Sequence, residues 1–293
     1  DRAFLEATVR AVYGRAGFGR TFPGSLDPAD WQCPAPADVR IDWAIQLEEA
    51  DPEEQAMREH ADDQAIHIGY AARDPAARHL PVEHHLALRL RDGLQELCDL
   101  ERDLGIGPDG KVLVALREAP HGPARVEGVV VSVQHLAAAA PVHYDRAVRA
   151  MVARVLEEEA RALEGGLLLD GLADGIRVNP SGLFSVGGPI NDNGQTGRKL
   201  AMDFYGPRVP IGGGALSGKD PWRLDRAAAL RTRQIAVAMV ETGFVEEAKV
   251  TFAWAPRDRR PSWTQLEADG RVLEPRAAAL WLKRFDPSLR ATW

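Results

Sequence analysis

Apolar residues along this chain follow two spacings, one helical and one alternating, and together they predict most of its elements. Phe4, Val9 and Val12 open a helix near Asp1, and Leu86, Leu90, Leu94 and Leu97 describe a second whose apolar face belongs to a core. Val148, Met151, Val152, Val155 and Leu156 give a third over Asp145 to Leu163, stopped by Gly165 and Gly166. A fourth carries Leu224, Ala228, Ile235 and Met239, with Asp220 as its cap, Pro221 in its first turn and Gly243 as its stop. A last helix runs from Pro275 to Phe285. Strands are expected at Arg40 to Leu47, Val112 to Arg117, Arg125 to Gln134 and Ala248 to Ala255, with another around Phe184. The turn-rich segment Pro23 to Pro36 and the acidic connector Asp51 to Glu59 interrupt the first of these regions. Strands and helices alternate irregularly, in three roughly repeated units, which is an α+β pattern.

With 293 residues, 45% of them hydrophobic, the chain is long enough for two or three domains with their own cores. A net charge of −7 argues against a general nucleic-acid surface, so basic chemistry must be local. The two cysteines, Cys33 and Cys98, are too few and too far apart for a disulfide framework or a zinc knuckle. Cys98 sits on an apolar helical face and is expected to be buried. No apolar run reaches membrane-spanning length and no signal peptide is visible, so no membrane partner is expected and the cytoplasm is the default compartment. The chain opens at Asp1 without an initiating methionine, and a further N-terminal segment is expected on that ground.

Local positive charge is concentrated between Gly182 and Arg226. Two glycine-rich loops lie there: one runs from Gly187-Gly188-Pro189 through Asp192 to Gly197-Arg198-Lys199, and the other is Gly212-Gly213-Gly214-Ala215-Leu216-Ser217-Gly218-Lys219-Asp220. Glycines at this density let backbone N–H groups approach an anion, while Arg198, Lys199 and Lys219 supply charge. A helix follows the second loop, and a helix N-terminus is itself an anion site. Asp192, Asp220 and Asp225 lie among these cations, and carboxylates beside a polyphosphate point to a hard cation such as Mg²⁺. A nucleoside triphosphate is the leading ligand class. Gly213 to Lys219 has P-loop spacing, but Asp220 occupies the Ser/Thr position and Pro207 to Pro210 is not a buried strand, so a P-loop is excluded.

The run Gly187 to Tyr205, followed by Gly212 to Arg226, strongly resembles the C-terminal signatures of S-adenosylmethionine synthetase. Asp62-Asp63-Gln64-Ala65-Ile66-His67-Ile68-Gly69-Tyr70-Ala71 resembles the family's Gly-Asp-Gln-Gly-x-x-x-Gly-Tyr-Ala, with Asp62 and Ala65 in place of glycines and His67 where a methionine is usual. The resemblance extends from about Arg40 onward. It implies an α+β fold of three similar domains about a pseudo-threefold axis with the N-terminal part missing from this chain: 1–52 as a remnant of the first domain, 60–178 as the central domain and 180–293 as the C-terminal domain. It also implies a homodimer with active sites at the interface, or a tetramer.

The reaction so implied is attack of the methionine sulfur on C5′ of ATP, displacing the triphosphate, which is then hydrolysed, with Mg²⁺ and K⁺ as cofactors. Arg198, Lys199, Lys219 and Lys111 are then the catalytic cations, Lys111 coming from the turn Gly107 to Lys111. A growing anionic leaving group is best stabilised by preorganised cations. Asp63 contacts the nucleoside and Phe184 stacks on adenine, although as plain physics Phe184 reads equally well as a core residue and Asp63 as a cap. Arg223 stands where the family has a lysine, keeping the charge on a planar fork at the phosphate and amino-acid site. Asp225 matches a Mg²⁺ carboxylate, and Asp192 lies near the amino group of methionine. Pro256 replaces an apolar residue of the methionine pocket. His135 reads as structural, and the adjacent His84 and His85 point apart and make a poor metal pair.

The family's Gly-His-Pro-Asp-Lys stretch and its early glutamates are not in these residues, and the loop expected to gate the site looks short. Three readings stay open. The chain is a synthetase, including one with another amino-acid substrate; or a non-catalytic ATP- or polyphosphate-binding homologue or regulatory subunit; or a bare triphosphatase.

Overall fold

The computed structural model describes residues 1–19, 35–44, 52, 55, 59–119, 122–137, 139–192, 194, 195 and 197–289. In chain order the elements are α1 (Arg2–Ala16), β1 (Ala65–Ala72), α2 (Val82–Leu100), β2 (Ile106–Arg117), β3 (Ala124–His135), α3 (Pro141–Ala162), β4 (Leu167–Leu168), β5 (Ile176–Val178), α4 (Leu224–Val240), β6 (Glu247–Trp254), β7 (Trp263–Ala268), β8 (Arg271–Val272) and α5 (Pro275–Arg284). They form two compact units, one from Asp1–Ile45 with His85–Gly194, the other from Gln46–His84 with Gln195–Trp293.

The first unit is built on the antiparallel pair β2–β3, in which Lys111 faces Ser132, with β4 and β5 added parallel to β3. Val129, Val131 and Val133 alternate into a core that α2 and α3 fill with Leu86, Leu90, Leu94, Val148, Met151, Val152, Val155 and Leu156. This is the apolar stripe the helical spacing predicts. Cys98 is buried and its thiol donates to the Gly107 carbonyl at 3.3 Å. His85, expected to be idle, is buried against Glu159 at 2.7 Å, and Arg89 closes on the same carboxylate. Burial pushes the Glu159 carboxyl up, but the Arg89 and His85 bonds outweigh it and hold the group below the ordinary carboxylate range.

The second unit carries the antiparallel sheet β1-β6-β7-β8. Alternation along β1 sends His67, Gly69 and Ala71 toward α4, and Ile68, Tyr70 and Ala72 toward Tyr205 and Val209. A Cβ at Gly69 would collide with the backbone of Thr232, so only glycine lets α4 lie this close to the strand. The core joins Leu224, Ala228, Ile235 and Met239 of α4 to Val250, Phe252 and Trp254 of β6. Phe252 is fully buried, and a side chain of that size stabilises by about 1.5–3 kcal/mol on leaving water.

Three sequence expectations change. Residues 40–44 form no strand: Trp43 instead donates its indole N–H to Glu6 at 2.9 Å, and residues 45–47 lie outside the described residues. Around Phe184 the chain is extended but not a strand, held by the His135 N–H donating to the Phe184 carbonyl at 2.9 Å. The helix expected from Asp220 starts at Leu224 with Arg223 as its cap, because Asp220 to Arg223 closes a separate turn in which the Arg223 N–H reaches the Asp220 carbonyl at 3.1 Å. The β7–β8 hairpin has no counterpart in the sequence reading. The opening helix forms, but Phe4, Val9 and Val12 remain exposed. Most of Pro23 to Pro36 and of the acidic connector, together with Cys33, Asn193, Thr196 and the last four residues, lies outside the described residues.

Candidate functional site

The late start of α4 changes which carboxylate sits at its head. Asp225, not Asp220, occupies the first turn, where a negative charge complements the helix dipole. Its environment is built from three directions. The Lys219 ammonium pairs with Oδ2 from the glycine loop, the His67 Nε2 lies 3.2 Å from Oδ1, and the backbone of Gly214 passes so close that a Cβ there would collide with the carboxylate. The bond from His67, joined by Lys219, pulls the Asp225 carboxyl down to about 2 against the upward push of burial. Asp225 is therefore ionised across the physiological range.

Arg226 holds the loop itself, donating to the Lys219 carbonyl at 2.8 Å. One turn earlier, Arg223 pairs with Asp62, immediately before Asp63. Asp63 accepts from the Gln64 N–H at 2.7 Å, the local capping that its neighbours predict. The segment is anchored to the turn after β6, where the Ala61 N–H donates to the Asp258 carbonyl at 2.7 Å and the Arg257 N–H to the Ala61 carbonyl at 2.8 Å. Pro256 lies exposed in that turn. Lys219, Arg223, Asp225, Asp62 and His67 are thus brought together, with Asp63 and the Pro256 turn beside them.

Arg198 and Lys199 lie in the same unit on an exposed turn leading into the helical turn Leu200–Asp203, with no ion-pair partner among the described residues. The first unit carries the remaining predicted residues: Lys111, exposed on β2; Phe184, half-buried; and Asp192, exposed after the first glycine loop. There the Gly188 N–H, which the sequence offers to an anion, donates to Asp109 at 2.8 Å. The first glycine loop is thereby fixed to the turn that presents Lys111. His135 is structural, its Nδ1 donating to the Leu136 carbonyl at 3.0 Å and its ring stacked on Tyr144.

Sequence reasoning missed His67, Asp62 and Asp109 as partners. His67 and Asp225 are 158 residues apart, and Asp62 and Arg223 are 161 apart. The only linear signal is that Asp62, His67 and Arg223 are departures from the family pattern.

Comparison with known proteins agrees with the resemblance. Residues 58–184 match the model for the S-adenosylmethionine synthetase central domain, and 186–285 match the C-terminal domain. An S-adenosylmethionine synthase of Thermus thermophilus is 35% identical over 291 residues, covering 97% of this chain and 71% of the relative. One from Helicobacter pylori is 36% identical over 198 residues, covering 67% of this chain and 48% of the relative. Among solved structures, an unusual S-adenosylmethionine synthetase from Campylobacter jejuni superposes with a TM-score of 0.80 at 20% identity, covering 100% of this chain and 72% of that one.

Proposed function

The chain belongs to the S-adenosylmethionine synthetase family, and from that premise we propose that it serves the synthesis of S-adenosylmethionine from ATP and L-methionine, as a methionine adenosyltransferase. The observation that carries this reading is the cluster at the head of α4, where an ionised Asp225 sits between a loop lysine and a buried histidine with Arg223 one turn away.

In this reading the methionine sulfur attacks C5′ of ATP, the C5′–O bond breaks, and its electron pair leaves with the triphosphate. Lys219 and Arg223, with Arg198, Lys199 and Lys111, neutralise the charge that grows on the leaving oxygens. Asp63 and Phe184 orient the nucleoside, Asp192 takes the methionine amino group, and Arg223 and Pro256 border the amino acid. Among the described residues no three His, Cys, Asp or Glu side chains converge. Mg²⁺ bound through a triphosphate needs only one or two protein carboxylates, and the ionised Asp225 suits that donor set. Bound there, the cation would screen the phosphate charge. K⁺ and a homodimer with shared active sites complete the proposal.

One observation favours a second reading. Both Lys219 and Arg223 are already ion-paired, which suits a homologue that binds nucleotide or polyphosphate weakly, or uses another amino acid. The test incubates the protein with ATP, Mg²⁺, K⁺ and methionine, then measures S-adenosylmethionine by mass spectrometry and phosphate by colorimetry. A methionine-dependent sulfonium supports the synthetase. Phosphate alone points to another amino acid or a triphosphatase, and neither product points to the binding homologue.

A further inference from the structure

His67 is out of place by every sequence criterion. It stands on the core face of β1 with Ala65, Gly69 and Ala71, at a position where the resembled family has a methionine, and it is only 3% exposed. Taking an imidazole out of water is costly unless its nitrogens are satisfied. Nε2 is satisfied by Asp225, at 3.2 Å, while Nδ1 is buried with no partner. An ionised carboxylate can only accept, so the ring nitrogen facing it carries the hydrogen and Nδ1 keeps a lone pair. The register pairs Ala65 with Trp254 and His67 with Phe252, which puts His67 and Trp254 on one face of the sheet. The Trp254 indole N–H there is also buried without a partner, and as a donor it is compatible with a lone pair on Nδ1.

Asp225 is thus gripped at both oxygens by unlike groups. The half-exposed Lys219 sits on a glycine loop and can turn to another anion, whereas His67 is fixed inside the fold. We propose that His67 is a positioning residue: as the Nε2–H tautomer it pins Asp225 from beneath, so that the carboxylate keeps its place against Gly214 when Lys219 leaves it for a phosphate. This rests on the triphosphate reading above. Without His67, the carboxylate would follow Lys219 or rotate, and a cation carried by the triphosphate would lose its fixed ligand.

The test uses the full chain, Mg²⁺ and the non-hydrolysable analogue adenylyl imidodiphosphate, followed by calorimetry, for the wild type, His67→Leu and His67→Gln. Mg²⁺ binding to the analogue-loaded protein should weaken about tenfold in His67→Leu, the scale of one lost charge-assisted hydrogen bond, and return to within about threefold in His67→Gln, whose amide N–H can replace Nε2–H. Analogue binding without Mg²⁺ should change by less than about twofold, because the phosphate cations are intact. ¹⁵N NMR of His67 in the unliganded wild type should show the Nε2–H tautomer, whether or not the leucine variant folds. An Nδ1–H tautomer, or a folded leucine variant with wild-type Mg²⁺ binding, overturns the proposal alone. A wild type that binds no analogue with Mg²⁺ overturns the triphosphate reading, and the role of His67 falls with it.

Discussion

The carboxylate of Asp62 and the guanidinium of Arg223 form an ion pair that ties the segment before β1 to the cap of α4. Each stands where the family pattern has a different residue, a glycine and a lysine, and the two departures meet in space. The pair is part-exposed, so it adds little to stability, on the order of 0–1 kcal/mol. Its effect falls on the ligand, since Arg223 must leave Asp62 to meet a phosphate. Asp62→Gly should therefore tighten ATP binding by roughly threefold to tenfold while leaving the melting temperature nearly unchanged. Calorimetric titration with ATP measures this, and unchanged affinity would mean that Arg223 does not engage the nucleotide.

Asp109 does comparable work in the other unit. Its acceptance of the Gly188 N–H anchors a loop that bends there with a φ of +67°, and Phe18 packs against the same glycine. Asp109→Ala removes the acceptor and should destabilise that unit by about 1–2 kcal/mol, with faster hydrogen exchange at the Gly188 amide. Asp109→Asn keeps an acceptor oxygen and should cost less than half of that. Equal losses in the two variants would show that charge, not the hydrogen bond, holds the loop.

Gly213 and Gly214 are neighbours that should respond differently to alanine. Gly213 has a φ of +99° with open space around its missing Cβ, so Gly213→Ala should cost about 1–2 kcal/mol of backbone strain and spare the site. At Gly214 the new methyl would strike Asp225 itself. Gly214→Ala should lower kcat/KM for S-adenosylmethionine formation by at least about tenfold, because misplacing one catalytic-site group by an ångström has effects of this size. Steady-state kinetics beside thermal melts separate the two, and equal activities would remove Asp225 from the site.

Much of this architecture was legible in the sequence because it is local. The stripes Leu86 to Leu94 and Val148 to Leu156 become the core of one unit, and Leu224 to Met239 that of the other, since a periodic apolar face must find a partner. Glycine loops and their cations are likewise linear signals. What periodicity could not show was partnership. A buried histidine on β1 reads as an error until α4 supplies Asp225, and Gly188 reads as an anion donor until Asp109 takes its N–H. The head of α4 was misplaced because Asp220 and Pro221 are good capping residues in isolation, while tertiary contacts to Asp225 and Arg223 settle the start one turn later.

Acid should expose the worth of the Asp225 contacts. The folded-state pKa is depressed to about 2, against about 3.9 for a free aspartate, so folding favours the ionised form. The stabilisation is then fully present above about pH 4 and is lost as pH falls through the folded value near 2. A gap of this size corresponds to about 2 kcal/mol. Asp225→Asn cannot ionise and should therefore be less stable than wild type by about that amount at pH 6, with the difference shrinking steadily below pH 4. Urea denaturation of both proteins at pH 6, 4 and 2.5 measures it. A difference that stayed constant with pH would mean that the loss comes from amide packing rather than from the charge, and that His67 and Lys219 do not hold the carboxylate in its ionised form.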